Sequence, residues 1–285
     1  MYKIIDMRLR PPYKSFATTA FYTDFDTPKN RAGWESGKTH KSLAHSKKSM
    51  ELMIKEMDEN HIVKGVVVAR ETNWGGRAKN SDLPGLLAEY PDRFIGAPHI
   101  QADADNDMLE TVDKYIINGP CSAIYMEPGF RLEKVQRHAS DEIFFPLYEK
   151  AQKHNIPIIL QYGGGSASIE FYTPYDIYNV ANVFPDLKIA ISHGGWPQTM
   201  AMIHEAYAHK NVYLSPDVYF VGFPGSQDYV YAAKTILKNQ IMFGSAFPAG
   251  NDLRDVITGY MNSGLSDEEL ERVLYTNAAE FFGLE

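Results

Sequence analysis

The sequence predicts an α/β chain folded as a (β/α)8 TIM-type barrel, and three observations carry that expectation. Eight short apolar runs rich in Val and Ile recur along the 285 residues. They are continuous rather than alternating, which suits parallel strands covered on both faces. Amphipathic stretches separate them, and this alternation, in a chain of this length, fits a closed barrel. A doubly wound open sheet is the competing arrangement, which strand count alone does not exclude. No linker or repeat divides the chain, so a single barrel domain over 1–285 is expected.

The expected strands are YKIID (2–6), VKGVVVA (63–69), RFIGAPH (93–99), CSAIYME (121–127), IPIILQY (156–162), LKIAISH (187–193), NVYLS (211–215) and QIMFGS (240–245). Among the helices, Met50, Met53, Ile54 and Met57 form one apolar stripe, and Met108, Val112, Tyr115 and Ile116 another. Ser266 with Glu269 three residues later reads as a capping box for the last helix. The longest irregular stretch, 11–48, follows strand one and in a barrel would rise over the mouth.

Composition narrows the function classes. The formal net charge of -8 argues against a broad nucleic-acid surface. No run is apolar enough to span a membrane. The single cysteine, Cys121, excludes an internal disulfide and any Cys-rich metal site. With no signal-peptide pattern before the first strand, a cytoplasmic protein is expected.

Barrel active sites are built at the C-terminal ends of strands. Those ends carry Arg8 and Arg10, Arg70, His99, Glu127, Gln161 with Tyr162, His193, Asp217 with Tyr219, and Ser245 with Ala246. In IIDMRLRPP (4–12) the two arginines stand two residues apart, and so on one side of an extended strand. The set is polar and cationic for positions next to a buried core.

Several segments resemble the amidohydrolase-2 branch of the amidohydrolase superfamily. ISHGGWP (191–197) is similar to its Ser-His-Gly-Gly segment, FGSAFP (243–248) to its Phe-Gly-Ser-Asp-x-Pro, and YTNAAEFFG (275–283) to its closing Asn-Ala helix. Asp6 and Pro12 match the frame of its first-strand His-x-His motif, and IPIILQ (156–161) its strand-five frame. The resemblance implies a distorted (β/α)8 barrel and an enzyme; members include hydrolases, lactonases, decarboxylases, hydratases and an isomerase. It also places the family's metal ligands on Arg8, Arg10, Gln161 and Ala246, leaving only His193. Guanidinium has no free lone pair, and catalytic zinc usually takes three protein ligands. No cofactor is therefore expected.

Two arginines where a divalent cation would sit imply an anionic guest, a small carboxylate-bearing molecule held by bidentate pairing, with Arg70 adding a third charge. The competing reading is a buried ionic network with Glu127 and Asp217. His193 is the candidate general base or acid. Asp217 would orient it or act as a base, or equally cap the strand-seven loop. Glu127 would pair with Arg10 or move a proton. Gln161, Tyr162, Tyr219 and His99 complete the substrate-binding candidates, although packing is the ordinary role of a tyrosine and of a core-edge histidine. Gly163–Gly165 would offer N–H groups to an oxyanion, or simply a flexible loop.

The remaining motifs carry no chemistry. GGGSAS (163–168) lacks the Lys-Ser or Lys-Thr of a P-loop, and LAHSKKS (43–49) reads as a solvated basic stretch. His40, His45, His138, His154 and His209 have no ligand spacing, and Trp34, Trp74 and Trp196 are packing or pocket-wall residues. The expected function is metal-independent hydrolysis of a small carboxylated lactone. Lactone isomerisation, decarboxylation, or non-catalytic binding of an organic acid use the same parts. A homo-oligomer is compatible with such a barrel, but no interface is specified.

Overall fold

Among the described residues, seven parallel strands form where the continuous apolar runs stand: β1 Ile4–Asp6, β2 Ile62–Val68, β3 Phe94–Ala97, β4 Ile124–Met126, β5 Ile158–Gln161, β6 Ile189–Ser192 and β7 Val212–Ser215. This computed structural model describes residues 2–23, 42–73, 75–102, 107–130, 133, 135–164, 168–248 and 252–284. Trp34, His40, Trp74, Gly165 and the part 24–41 of the stretch after β1 lie outside the described residues. The α-helices are α1 Ala20–Thr23, α2 Leu43–Lys47, α3 Met50–Glu59, α4 Leu83–Glu89, α5 Met108–Val112, α6 Phe145–Lys153, α7 Pro174–Val183, α8 Thr199–Ala208, α9 Ser226–Lys234, α10 Leu253–Met261, α11 Asp267–Glu271 and α12 Asn277–Phe282. None of the described helices is long and apolar enough to cross a membrane.

The strands pair in the orders β1-β2-β3 and β4-β5-β6-β7. Hydrogen bonds outside the regular strands join the two groups. Tyr125 N–H donates to Pro98 O at 3.0 Å, and His99 bridges to Tyr125. On the other side, segment 241–247 lies between β7 and the end of β1. Leu214 bridges to Ile241, Leu9 bridges to Phe247, and Arg10 N–H donates to Phe247 O at 3.1 Å.

This eighth position, expected as the strand QIMFGS, forms no regular strand, and the site explains why. A Cβ on Gly244 would lie 2.1 Å from Asp217 Oδ1, so only glycine lets the carboxylate approach. Ser245 is hydrogen-bonded to Asp6 rather than to a ladder. Ala246 then adopts φ 53°, which L-residues rarely take.

The strands divide two apolar layers. Ile5, Met7, Val66, Val68, Ile95, Ala97, Ala123, Ile159, Ala190 and Met242 fill the barrel interior. Ile4, Leu9, Val67, Ile124, Ile158, Leu160, Ile189 and Leu214 face the helices. Met7 is inside and Leu9 outside, so the parity of β1 changes at the bend through Met7–Arg8. That bend turns Arg8 and Arg10 inward. The bottom is closed by α12, whose Ala278, Ala279 and Phe281 join the inner cluster.

The capping box at Ser266 forms in both directions, and Met53 and Met57 are fully buried as their stripe requires. The second stripe is less regular: α5 ends at Val112 and continues as a π-turn, Asp113–Ile117. LAHSKKS becomes α2, and its His45 is not merely solvated. His45 Nε2 lies 2.8 Å from Phe21 O, holding the segment that covers the mouth.

A candidate active site at the strand ends

Arg8 is 1% exposed, and its Nη2 donates to the Tyr125 hydroxyl at 3.0 Å. Its Nε and Nη1 are buried and hydrogen-bond to nothing among the described residues. The backbone at this point is rigid. Asp6 Oδ1 accepts from the N–H groups of Arg8 (3.0 Å) and Ser245 (2.8 Å), and Oδ2 accepts from Ser245 Oγ (2.5 Å). Burial pushes the Asp6 carboxyl up to about 6 despite these bonds. The first-strand arginine is thus fixed in place with two donor nitrogens uncommitted.

Glu127 pairs with Arg70, not with Arg10 as the sequence suggested. Both ends of β2 and β4 emerge on the same side, whereas Arg10 leans toward segment 241–247. Arg10 Nη1 donates to Ala246 O (3.1 Å) and Phe247 O (3.3 Å), and its guanidinium lies 4.3 Å from the centre of the Phe21 ring. Burial, with Arg8 and Arg70 nearby, pushes the Arg10 pKa down to about 9, still cationic at neutral pH. Burial alone would raise the Glu127 carboxyl, but Arg70 and His99 hold it down to about 2. Its Oε1 also accepts from Tyr125 OH, while Oε2 is buried without a hydrogen bond. Neither Arg8 nor Arg10 forms a direct ion pair among the described residues, so the expected network with Glu127 and Asp217 does not form around them.

His193 directly follows β6 and Asp217 begins the turn after β7, with φ of 61° and 55°. His193 Nδ1 lies 2.9 Å from Asp217 Oδ2. The approach misses the ring N–H axis, so the contact is an electrostatic pairing more than a linear hydrogen bond. Asp217 is fully buried; Ser215 Oγ donates to its other oxygen at 2.6 Å. Burial lowers the His193 pKa, Asp217 raises it in part, and Arg8 and Arg10 lower it again, for a net fall. The ring is therefore neutral at neutral pH. Burial opposes the Asp217 charge, but His193, Arg8 and Ser215 more than offset that, and its pKa falls. The Nε2 side passes Gly164, where a Cβ would lie 3.1 Å from His193 Cδ2.

Gln161 joins the site, its Oε1 accepting from Tyr125 OH at 3.3 Å. Tyr219 forms a wall, edge-on to His193 and stacked on Trp196 with centroids 4.8 Å apart. Tyr162 is not brought in. Strand alternation turns it outward, where its hydroxyl donates to Asp176 at 3.0 Å. His99 is a core-edge residue: Nδ1 accepts from Glu71 N–H at 3.1 Å, and burial pushes its pKa down to about 4. Gly164 N–H is taken by Trp196 O at 2.9 Å and is not offered to an oxyanion. A narrow cavity lined by Arg10, Arg70, Tyr125, Phe16 and Phe21 lies beneath the cover formed by 14–23.

Tyr125 is the residue that sequence reasoning missed. It links Arg8, Glu127 and Gln161 from the centre of the mouth. Its position two residues before Glu127 put both on one face, which was the available signal. The donor chemistry does not suit a divalent cation. Two guanidiniums, an amide engaged by Tyr125 and the methyl of Ala246 stand where the resemblance places ligands. Among the described residues, no group of three His, Cys, Asp or Glu side chains could hold a metal.

A parallel barrel with a polar constellation at its strand ends defines an enzyme-like (β/α)8 scaffold. The chain belongs to the amidohydrolase family, whose model matches residues 31–284. An uncharacterised TIM-barrel protein from Bordetella bronchiseptica shares 30% identity over 99% of this chain and 98% of its own, with a TM-score of 0.90. A 2,6-dihydroxybenzoate decarboxylase solved with 2,6-dihydroxybenzoate is 13% identical over 100% of both chains, TM-score 0.73. A 4-oxalomesaconate hydratase from Rhodopseudomonas palustris is 20% identical over 98% and 95%, TM-score 0.62. These last two share the fold. No curated protein sequence matches.

Proposed function

We propose that this site hydrolyses a small carboxylate-bearing lactone or related ester without a metal. The observation that supports it most is Arg8, a buried guanidinium with two unengaged nitrogens beside a neutral histidine. Asp217 offsets part of the Arg8 charge without pairing to it, and burying unengaged guanidinium donors is costly, so the site favours an anionic occupant. In this reading Arg8 and Arg10 hold the carboxylate or the developing oxyanion, and Arg70 with Glu127 fixes the floor. His193 Nε2 takes a proton from water as the water oxygen attacks the lactone carbonyl. The ring C–O bond then breaks, and the same proton returns to the leaving alkoxide. Asp217 stabilises the imidazolium in between. A strained lactone carbonyl needs no Lewis acid.

Decarboxylation is the second reading, favoured by structural neighbours that are decarboxylases of a hydroxylated benzoate. There His193 would first take a proton at Nε2 from water or substrate and, as the imidazolium, pass it to the carbon as the C–C bond to CO2 breaks. The test is a panel of carboxylated lactones and di-acids, assayed after chelator treatment for ring opening and for CO2. Ring opening that survives chelation is the expected result. CO2 release replaces the first reading with the second, and saturable binding without turnover points to an organic-acid-binding protein. Activity that is lost on chelation and restored by zinc contradicts metal independence.

A further inference from the structure

The outward faces of α7 and α8 expose no Asp, Glu, Lys or Arg. On α7 they present Tyr175, Tyr178, Asn182 and Val183; on α8, Met200, His204 and Tyr207. The two acids of these helices, Asp176 and Glu205, are buried. Other helices around the barrel differ sharply. The helix α3 exposes Glu51, Lys55, Asp58 and Glu59, and α11 exposes Asp267, Glu268 and Glu271. A solvated helix ordinarily carries such charges.

The uncharged face is continuous. Helices α7 and α8 pack together, and α8 meets α9, where Tyr231 borders the face beside the partly exposed Asp228 and Lys234. Tyr175 and Tyr178 stack with centroids 6.2 Å apart, and Tyr178 meets His209 edge-on at 5.6 Å. Tyr175, Tyr207 and Tyr231 are 68%, 61% and 70% exposed, and Tyr178 47%. At the usual area of an aromatic side chain, these four expose about 400–600 Å². Met200 and Val183 bring the patch toward the roughly 800 Å² per partner of a stable interface. A monomer seldom exposes so much apolar surface in one place.

We infer that the α7–α8 face is the two-fold interface of a homodimer, with Tyr178 and Tyr207 at its centre. Charge selects the partner. The chain carries a formal net charge of -8, so two copies repel over most of their surfaces. A two-fold contact sets one patch against its own copy, and only a face without acidic groups allows that at little electrostatic cost.

The experiment is sedimentation of the full chain against the double variant Tyr178→Glu, Tyr207→Glu, with Val135→Glu, Ile143→Glu as a control on other exposed apolar positions. The wild type and control should sediment at twice the mass of one chain or an even multiple. The double variant should show half that mass with unchanged far-UV circular dichroism. A monomeric wild type, a variant of unreduced mass, or equal dissociation of the control overturns the inference. Should the variant fail to fold, oxidative footprinting of the wild type decides. Met200 should be protected at high concentration relative to high dilution, while Met261 is unchanged; equal labelling of Met200 at both concentrations overturns it.

Discussion

The mouth of the barrel treats two largely enclosed arginines in opposite ways. On the β2–β4 side, Arg70 meets Glu127 in a direct ion pair, and Tyr125 shares the same carboxylate oxygen. On the side of β1 and segment 241–247, Arg8 has the Tyr125 hydroxyl and two nitrogens without partners. Arg8 is 1% exposed and the Arg70 side chain 13%, so both are largely enclosed. What differs is whether the protein supplies a directly paired counter-charge: Glu127 meets Arg70, whereas Asp217 acts on Arg8 without pairing to it. A paired counter-charge makes a fixed floor; an unpaired one leaves a seat for an anion from outside.

The sharpest way to break this contrast is to remove the supplied charge. Arg70→Met strands the Glu127 carboxylate and should cost about 3–5 kcal/mol of stability, read by urea unfolding. The pH dependence should also invert. In the wild type, Glu127 contributes stability above the ordinary Glu range, which is lost as pH falls toward its folded value of about 2. In Arg70→Met the orphaned carboxylate favours protonation, so acidification through the carboxylate range should stabilise that site. A neutral effect of the substitution would make the pair dispensable.

The side of the mouth that carries His193 should govern rate rather than stability. His193→Asn should lower kcat by about 10²–10⁴-fold on any substrate the wild type turns over, with the fold retained. Full activity in that variant would remove His193 from the proposed chemistry. Gly244→Ala drives a methyl group into Asp217 and should destabilise by roughly 1–3 kcal/mol, measured as a lower thermal midpoint. An unchanged midpoint would mean that segment 241–247 yields easily.

The smallest effect is a displacement along the pH axis. With the His193 pKa lowered, the acid limb of kcat/KM should lie below the ordinary histidine range, because protonation removes the base. Asp217 raises that pKa, so Asp217→Asn should move the limb lower still. A limb above the ordinary range would contradict the neutral, base-competent ring.

Much of the scaffold was legible in the sequence because buried parallel strands write themselves as continuous apolar runs. The strands of YKIID, IPIILQY and LKIAISH formed where those runs stand. QIMFGS did not become a regular strand, since Gly244, Ser245 and Ala246 answer to Asp217, Asp6 and a left-handed backbone rather than to a ladder. Within the site, spacing placed Arg8 and Arg10 together, but their inward direction depends on a bend between Met7 and Leu9 that periodicity does not show. The partner of Glu127 was misjudged for a related reason: cross-barrel pairing depends on side-chain reach, which sequence order does not encode. Tyr162 and Tyr125 exchanged importance because alternation sends one outward and the other inward, and among 18 tyrosines composition gives no reason to prefer either.

Arg8→Met tests the central claim most directly. Calorimetric titration of a small carboxylate that binds the wild type should be compared with the variant, alongside the unfolding midpoint of each without ligand. Affinity should fall by roughly 1.5–3 kcal/mol, the worth of a hydrogen bond to a charged group, while ligand-free stability stays level or rises. Equal affinity in the two proteins, or a variant that loses stability as Arg70→Met does, would show that Arg8 is part of the framework and not the anion's seat.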